Sequence, residues 1–312
     1  MFNRSFLTDS IVNTLLKKEF EVLVTHGCFD IVASQKKEQR KEQRTAKMTM
    51  LIKALTNVDS LHPGQAKSLR TISYFISAYP FIVSLRTNRN FLTNDTIYSR
   101  FDVPVVTPKM FESIIEDDAY SSKSAKGRHT VEINADELRA RRYEMKFTLE
   151  GLATVVGVSK KALYEIESKR TNPTEKTARK IEAALRTKLR RIYSPEPAEQ
   201  ARMNPANQLQ KKVSDELLRI GVDNSPVQHA PFEIVGKESF SLITGLSSNV
   251  KEIKRSAGSV KKLSSIFEAD AFFVAKQIKE KSIDGVPILL EDELPEIESV
   301  KELRKLIEES SE

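Results

Sequence analysis

Thr148-Leu149-Glu150-Gly151-Leu152-Ala153-Thr154-Val155-Val156-Gly157-Val158-Ser159-Lys160-Lys161-Ala162-Leu163-Tyr164-Glu165-Ile166-Glu167 decides how this chain is read. Two short helices that cross through a tight turn admit only certain residues at certain places. A small residue, Ala153, lets the second helix pass close to the middle of the first, which is expected from Leu149 to about Val156. Gly157 supplies the turn, because a positive φ comes cheaply only to glycine. Ser159 follows as an N-cap, so the next helix starts at Lys160. Leu163 and Ile166 then face inward with Leu152, Val156 and Val158, while Lys160, Lys161, Tyr164 and Lys169 point outward. This is the spacing of a helix-turn-helix.

Supporting helices are predicted on both sides. Asp136 to Met145 reads as one, with Leu138 and Met145 a heptad apart on a single face. Downstream, Asn172-Pro173-Thr174-Glu175 offers a capping residue, a proline at the first helical position and a glutamate at the third; Ala178, Ile181 and Leu185 carry that helix inward. The segment resembles the Cro/C1 repressor class of helix-turn-helix domain. The resemblance implies a buried pair between an arginine of the first helix and a glutamate closing the reading helix, here Arg142 and Glu167. Two residues depart from the class. Its frequent phosphate-touching glutamine is Leu149 here, which leaves that contact to a backbone N–H or to Thr148. Gly151 lies inside a helix, at a cost of about 1 kcal/mol relative to alanine.

Charge agrees with the motif. Val131 to Tyr193 holds fifteen lysines and arginines against nine aspartates and glutamates, a net +6 in a chain whose total is +7. Such concentration favours a polyanionic partner, double-stranded DNA. Lys160 and Lys161 are expected near base edges with Ser159 and Tyr164 close by, and Arg141, Lys146, Lys169 and Arg170 at phosphates.

The whole chain sets bounds on the rest. Its 312 residues, 39% of them apolar, suffice for two or three domains with real cores. A single cysteine excludes an internal disulfide framework and fits a reducing cytoplasm. Cys28 lies in an apolar run and reads as core. His26 nearby has no partner pair, so no metal or cofactor is expected. Apolar stretches such as Tyr79 to Leu85 are too short to span a membrane, and no signal-type leader is evident. Polar stretches at 121–133 and 194–206 read as linkers. The expected architecture is α/β plus all-α, with a Cro/C1-type helix-turn-helix bundle (134–193) held between a first α/β domain (1–120) and a second (207–312).

The two α/β blocks resemble each other. Phe20-Glu21-Val22-Leu23-Val24 leads to Phe29-Asp30-Ile31-Val32-Ala33, as Phe232-Glu233-Ile234-Val235-Gly236 leads to Phe240-Ser241-Leu242-Ile243-Thr244. Helix-like Leu69 to Ser77 runs into Pro80-Phe81-Ile82-Val83, as Val260 to Glu268 runs into Ala271-Phe272-Phe273-Val274. Asp102-Val103-Pro104-Val105-Val106 matches Gly285-Val286-Pro287-Ile288-Leu289, and a leading helix precedes each set. A duplicated α/β domain is expected.

The first block also resembles the restriction-endonuclease and Holliday-junction-resolvase fold, through Asp30 on one strand and Leu51-Ile52-Lys53 on the next. In that fold an aspartate and an acid two residues before a lysine bind a divalent metal. Here the second acid is Leu51, Asp59 lies far along the strand, and Ser241 is expected opposite Asp30 in the second copy. The site therefore reads as degenerate and the chain as no enzyme. Lys36 to Arg44, with Lys-Glu-Gln-Arg in tandem, is either a basic arm along DNA or a solvated extension. Val300, Leu303 and Leu306 place one face of an acidic C-terminal helix on the core, or on a second chain.

The order of these parts resembles the archaeal HTH-type transcriptional regulatory protein family, carried by Cys28 to Ala33, Leu51 to Leu61, and Gly157-Val158-Ser159 through Tyr164 to Glu167. That resemblance implies a cytoplasmic, sequence-specific DNA-binding regulator. A homodimer is expected because one module reads a half-site. Two rivals stay open: a structure-specific metal-dependent nuclease using Asp30 and Lys53, and a bridging adaptor that contacts the transcription machinery.

Overall fold

The computed structural model describes residues 3–35, 48–125 and 128–309. The basic tandem Lys36 to Arg44 lies outside the described residues. The chain divides into two units, one made of the stretch up to Asn88, Arg100–Val103 and everything from Glu196, the other of Arg89–Ser99 and Pro104–Pro195. The first and third sequence blocks thus share one unit.

The first block opens with α1 (Arg4–Lys17), whose Leu7, Ile11 and Leu15 recur at helical spacing and are buried. It continues through β1 (Phe20–Val24), β2 (Ile31–Gln35), β3 (Thr49–Asn57), α2 (Pro63–Phe75), β4 (Tyr79–Arg86), β5 (Tyr98–Arg100) and β6 (Val103–Val106). The six-stranded sheet has the order β1-β2-β3-β4-β6-β5. β3 is buried from Thr49 to Leu55 because it is central, antiparallel to β2 and parallel to β4. α2 makes the crossover that a parallel pair needs.

The second unit includes α3 (Pro108–Ile115), the hairpin β7 (Ser122–Ala125) and β8 (Arg128–Val131), and four helices: α4 (Ala135–Glu144), α5 (Leu149–Val156), α6 (Lys160–Glu167) and α7 (Glu175–Leu185). The described residues of the stretch 121–133, read as a linker, are structured. β7 pairs antiparallel with β8, and isolated bridges join Tyr120 to Ile192 and Ile133 to Arg190. Glu182 organises that seam by accepting from the N–H groups of Leu189 and Arg190, at 2.8 and 2.9 Å, and from Arg190 Nε at 2.9 Å. Burial pushes the Glu182 carboxyl up, but these donors outweigh it and hold the group below its usual range.

Beyond Pro195 come α8 (Gln208–Arg219), β9 (Asp223–Pro226), β10 (Ile234–Lys237), β11 (Ser241–Leu246), α9 (Val250–Phe267), β12 (Ala269–Ala275), β13 (Ser282–Ile283), β14 (Val286–Leu290) and α10 (Val300–Glu309). The stretch 194–206 has no regular structure, yet Arg202 pairs with Asp223 at 2.6 Å and Met203 N donates to Ser225 Oγ. On the terminal helix Leu303 and Ile307 are buried, with Val300 and Leu306 packed beside them. No helix among the described residues is long and apolar enough to cross a membrane.

The second sheet runs β9-β10-β11-β12-β14-β13, which is the first sheet's order strand for strand. β9–β10 and β10–β11 are antiparallel, β11–β12 parallel through α9, and β13 antiparallel to β14. The two sheets share this order, but the expected match of their first halves was one strand out of step. β9, Asp223-Asn224-Ser225-Pro226, has no strand-like residues, and is buried instead through Asn224, which bonds Ser214 and the Val222 carbonyl. Correctly aligned, His26-Gly27-Cys28-Phe29-Asp30 faces His229-Ala230-Pro231-Phe232-Glu233. Glu233, and not Ser241, is the counterpart of Asp30.

The copies pack reciprocally within their unit: α2 lies on β10, and its counterpart α9 lies on β2. The matched loops meet where Cys28 N–H donates to the His229 carbonyl at 2.5 Å. Gly27 has φ +144°, and a Cβ there would fall 2.0 Å from His229 O, so only glycine fits.

Candidate nucleic-acid interface

Each helix of the bundle starts on a side-chain cap. Asn134 Oδ1 accepts from Glu137 N, Thr148 Oγ1 from Gly151 N at 2.9 Å, and Ser159 Oγ from Ala162 N at 3.1 Å. Gly157 closes α5 in the left-handed region, φ 77°, and Lys180 of α7 holds the turn by donating to Val156 O. The core joins Leu138, Leu152, Ala153, Val156, Leu163, Ile166, Ala178, Ile181 and Leu185, with Met145 and Val158 packed against it. One expectation needs correcting. α7 is capped by Thr174, whose Oγ1 accepts from Thr177 N, and not by Asn172. Pro173 precedes the cap and offers its carbonyl to Val131 N, which keeps it out of the helix.

Arg142 and Glu167 form a buried two-pronged pair, only 6% and 4% exposed. Arg142 Nε meets Oε1 at 2.7 Å and Nη2 meets Oε2 at 3.0 Å, while Nη1 donates to Phe147 O. The carboxylate bonds raise the Arg142 pKa against the opposing effect of burial. Arg139 Nη2 adds a bond to the Glu167 carbonyl. The end of α6 is therefore clamped to α4, which fixes the angle at which α6 presents its other face.

Lys160, Lys161 and Tyr164 lie exposed on that face. Lys160 reaches Glu150 at 3.4 Å, and Tyr164 sits under the Arg170 guanidinium, 5.6 Å from ring centre to Cζ. The hydroxyls of Thr148 and Ser159 are engaged as caps. Lys169 bonds Asp136 at 2.6 Å, which holds that carboxyl below its usual range, and Arg170 bonds Glu165. Lys146 and Lys169 both have left-handed φ, 55° and 60°, where glycine would be cheaper; their cationic side chains are kept at a conformational cost. Arg141 is not brought to α6. It pairs with Glu144, and its Nε donates to Leu185 O at the end of α7.

The nuclease-like positions of the first block form a different arrangement. Asp30 and Lys53 are each 3% exposed. Asp30 Oδ1 accepts from Arg4 Nη2 at 2.6 Å and from Lys53 Nζ at 3.2 Å, and Oδ2 accepts from Ala54 N at 2.9 Å. Lys53 also donates to Gly27 O at 2.5 Å. Leu51 is fully buried. Asp59 points to Asn88 N and Arg100, away from Asp30. These residues do not fit a divalent cation: one carboxylate is already compensated by two cations, and the second is a leucine. Cys28 is sealed in the core, where burial pushes its thiol up to about 12.

The second copy keeps the acid and drops the base. Glu233 Oε2 accepts from Leu246 N at 2.7 Å, as Asp30 does from Ala54 N. The place of Lys53 falls to Gly245, where a Cβ would lie 2.3 Å from the Phe273 ring. Without a cation, burial pushes the Glu233 carboxyl up to about 7, helped by the Glu252 charge and opposed by the Leu246 N–H. Arg4 and Glu233 were both missed in the sequence. The repeated His-x-x-Phe-acid pattern could have revealed Glu233; nothing local marks Arg4.

Residues 138–192 match the helix-turn-helix family, and residues 4–120 match the PD-(D/E)XK superfamily domain. Archaeal proteins align with nearly the whole chain. It is similar throughout to archaeal HTH-type regulators. A "Putative HTH-type transcriptional regulatory protein" of Archaeoglobus fulgidus is 28% identical over 98% of both chains. One of Methanocaldococcus jannaschii is 27% identical over 97% of this chain and 96% of its own. One of Pyrococcus horikoshii is 28% identical over 90% and 89%. No solved structure matches. The helix-turn-helix match covers α4 to α7, and the superfamily match covers the first copy, whose strand order the second copy repeats.

Proposed function

We propose that this chain is a sequence-specific DNA-binding transcriptional regulator that reads the major groove with α6, works as a cytoplasmic homodimer and catalyses no reaction. The observation that carries the reading is the buried Arg142–Glu167 clamp, which fixes α6 while leaving Lys160, Lys161 and Tyr164 exposed. The net +6 of the surrounding segment and the names of the archaeal relatives support it. Two copies of the module would read a two-fold site, each contributing a half-site.

Selection from random duplexes at about physiological salt tests this. Enrichment of a palindrome is expected, and Lys160→Ala/Lys161→Ala should abolish the preference while leaving weak, salt-sensitive binding. Unchanged selectivity would sink the assignment. The superfamily match favours a nuclease as second reading, and the compensated Asp30 and buried Leu51 weigh against it. Magnesium-dependent nicking of branched DNA that is lost on Asp30→Ala would reverse that judgement.

A further inference from the structure

α9 is the longest helix among the described residues, and its two sides differ sharply. Ile253, Ala257, Val260, Leu263 and Ile266 are buried. On the solvent side stand Lys251, Lys254, Arg255, Lys261 and Lys262, all exposed. Their spacing of three, four and seven residues lines them up in one stripe about 16 Å long at a rise of about 1.5 Å per residue.

None of the five cations makes an ion pair among the described residues. The helix has one acid, Glu252, and it is turned to Ser247 Oγ at 2.6 Å. The neighbouring helices contrast with it: Lys212 and Arg219 of α8 pair with Glu291 and Glu216, and Arg304 and Lys305 of α10 pair with Asp270 and Glu309. Like charges a turn apart repel and weaken a helix, so a one-sign face without pairs works against folding.

Gly258 falls in the middle of the stripe. A Cβ there would meet nothing nearer than Asp284 Oδ2 at 3.8 Å, so alanine would fit and would favour the helix. The nearest group to that position is the Asp284 carboxylate, an acid set beside the stripe.

We propose that the solvent face of α9 docks on the sugar–phosphate backbone of duplex DNA, independently of sequence. Four of the five cations are lysines, point charges suited to successive phosphates and not to reading base edges. The exposed stripe has no aromatic residue on which a single strand could stack, and no apolar residue for a membrane or a protein interface core. This goes beyond the reading assigned to α6 and would stand if α6 bound nothing.

The test uses the full chain with duplexes of about 40 base pairs, of random and of selected sequence, and binding is followed by anisotropy across a salt titration. Lys251→Gln/Lys254→Gln/Lys261→Gln/Lys262→Gln should make the slope of log K against log salt shallower by about 3 to 4, at about 0.9 per lost phosphate contact, with the ratio of selected to random affinity unchanged. A variant slope equal to the wild type, with circular dichroism that stays helical, overturns the proposal. An α9-dependent slope without sequence preference upholds it and overturns the reading of α6.

Discussion

Glu233→Gln probes the second copy at its most sensitive point. The Glu233 carboxyl titrates at about 7 against an ordinary 4.5, because it is buried without the cations that compensate Asp30. At about 1.4 kcal/mol per pH unit that gap is worth about 3 kcal/mol. A carboxyl whose pKa is higher folded than unfolded binds its proton more tightly in the folded state. Its stabilising contribution is therefore whole below about pH 4.5 and is lost as pH rises through about 7. Glutamine stays neutral and keeps an oxygen for Leu246 N. Urea unfolding of both proteins, with hydrogen exchange at β10 and β11 as local probe, should show nearly equal stability at pH 4.5. The variant's advantage should then grow to about 3 kcal/mol by pH 8. A difference between the two that does not change with pH would refute the burial argument.

Breaking the clamp with Arg142→Met leaves Glu167 buried and uncompensated, so the helix-turn-helix unit should lose about 3 to 5 kcal/mol, while Arg142→Met/Glu167→Met recovers much of it; unfolding midpoints for the two variants check this. Ser159→Ala removes the cap of α6 and should cost about 1 kcal/mol by the same measurement. Gly27→Ala must move the His229 carbonyl and should cost more than about 2 kcal/mol, whereas Ala230→Gly at the matched position should cost under about 1 kcal/mol.

The helix-turn-helix was legible because its constraints are local. Gly157, Ser159 and the inward run of Leu152, Leu163 and Ile166 each answer to neighbours within a turn or two, and the Arg142–Glu167 pair followed from a resemblance that those residues anchor. The α/β blocks were legible only where strands are apolar. β12 and β14 declared themselves; β9 did not, because Asn224 and Ser225 are buried by hydrogen bonds that no hydrophobic pattern reports. Losing that one strand shifted the alignment and hid Glu233. The hairpin at 122–131 reads as a linker because its residues are polar, and the bridges that flank it, Tyr120 to Ile192 and Ile133 to Arg190, reach residues about sixty to seventy positions downstream. Arg4 illustrates the same limit: its partner is 26 residues away and on another element.

The loop contact between the two copies also sets a timetable. Cys28 donates to a carbonyl supplied by His229, roughly 200 residues later, and Ser68 and Ser77 wait for Gln228 and Lys237, each 160 residues on. At about 5 to 20 residues per second, the ribosome needs about 10 to 40 s to deliver those partners. In that interval the first block has closed its own sheet at most, and the helix-turn-helix, whose contacts are local, is complete before the first block is. The surface around Gly27 and α2 is thus exposed in every newborn chain, and it is the face through which two unfinished chains would exchange halves.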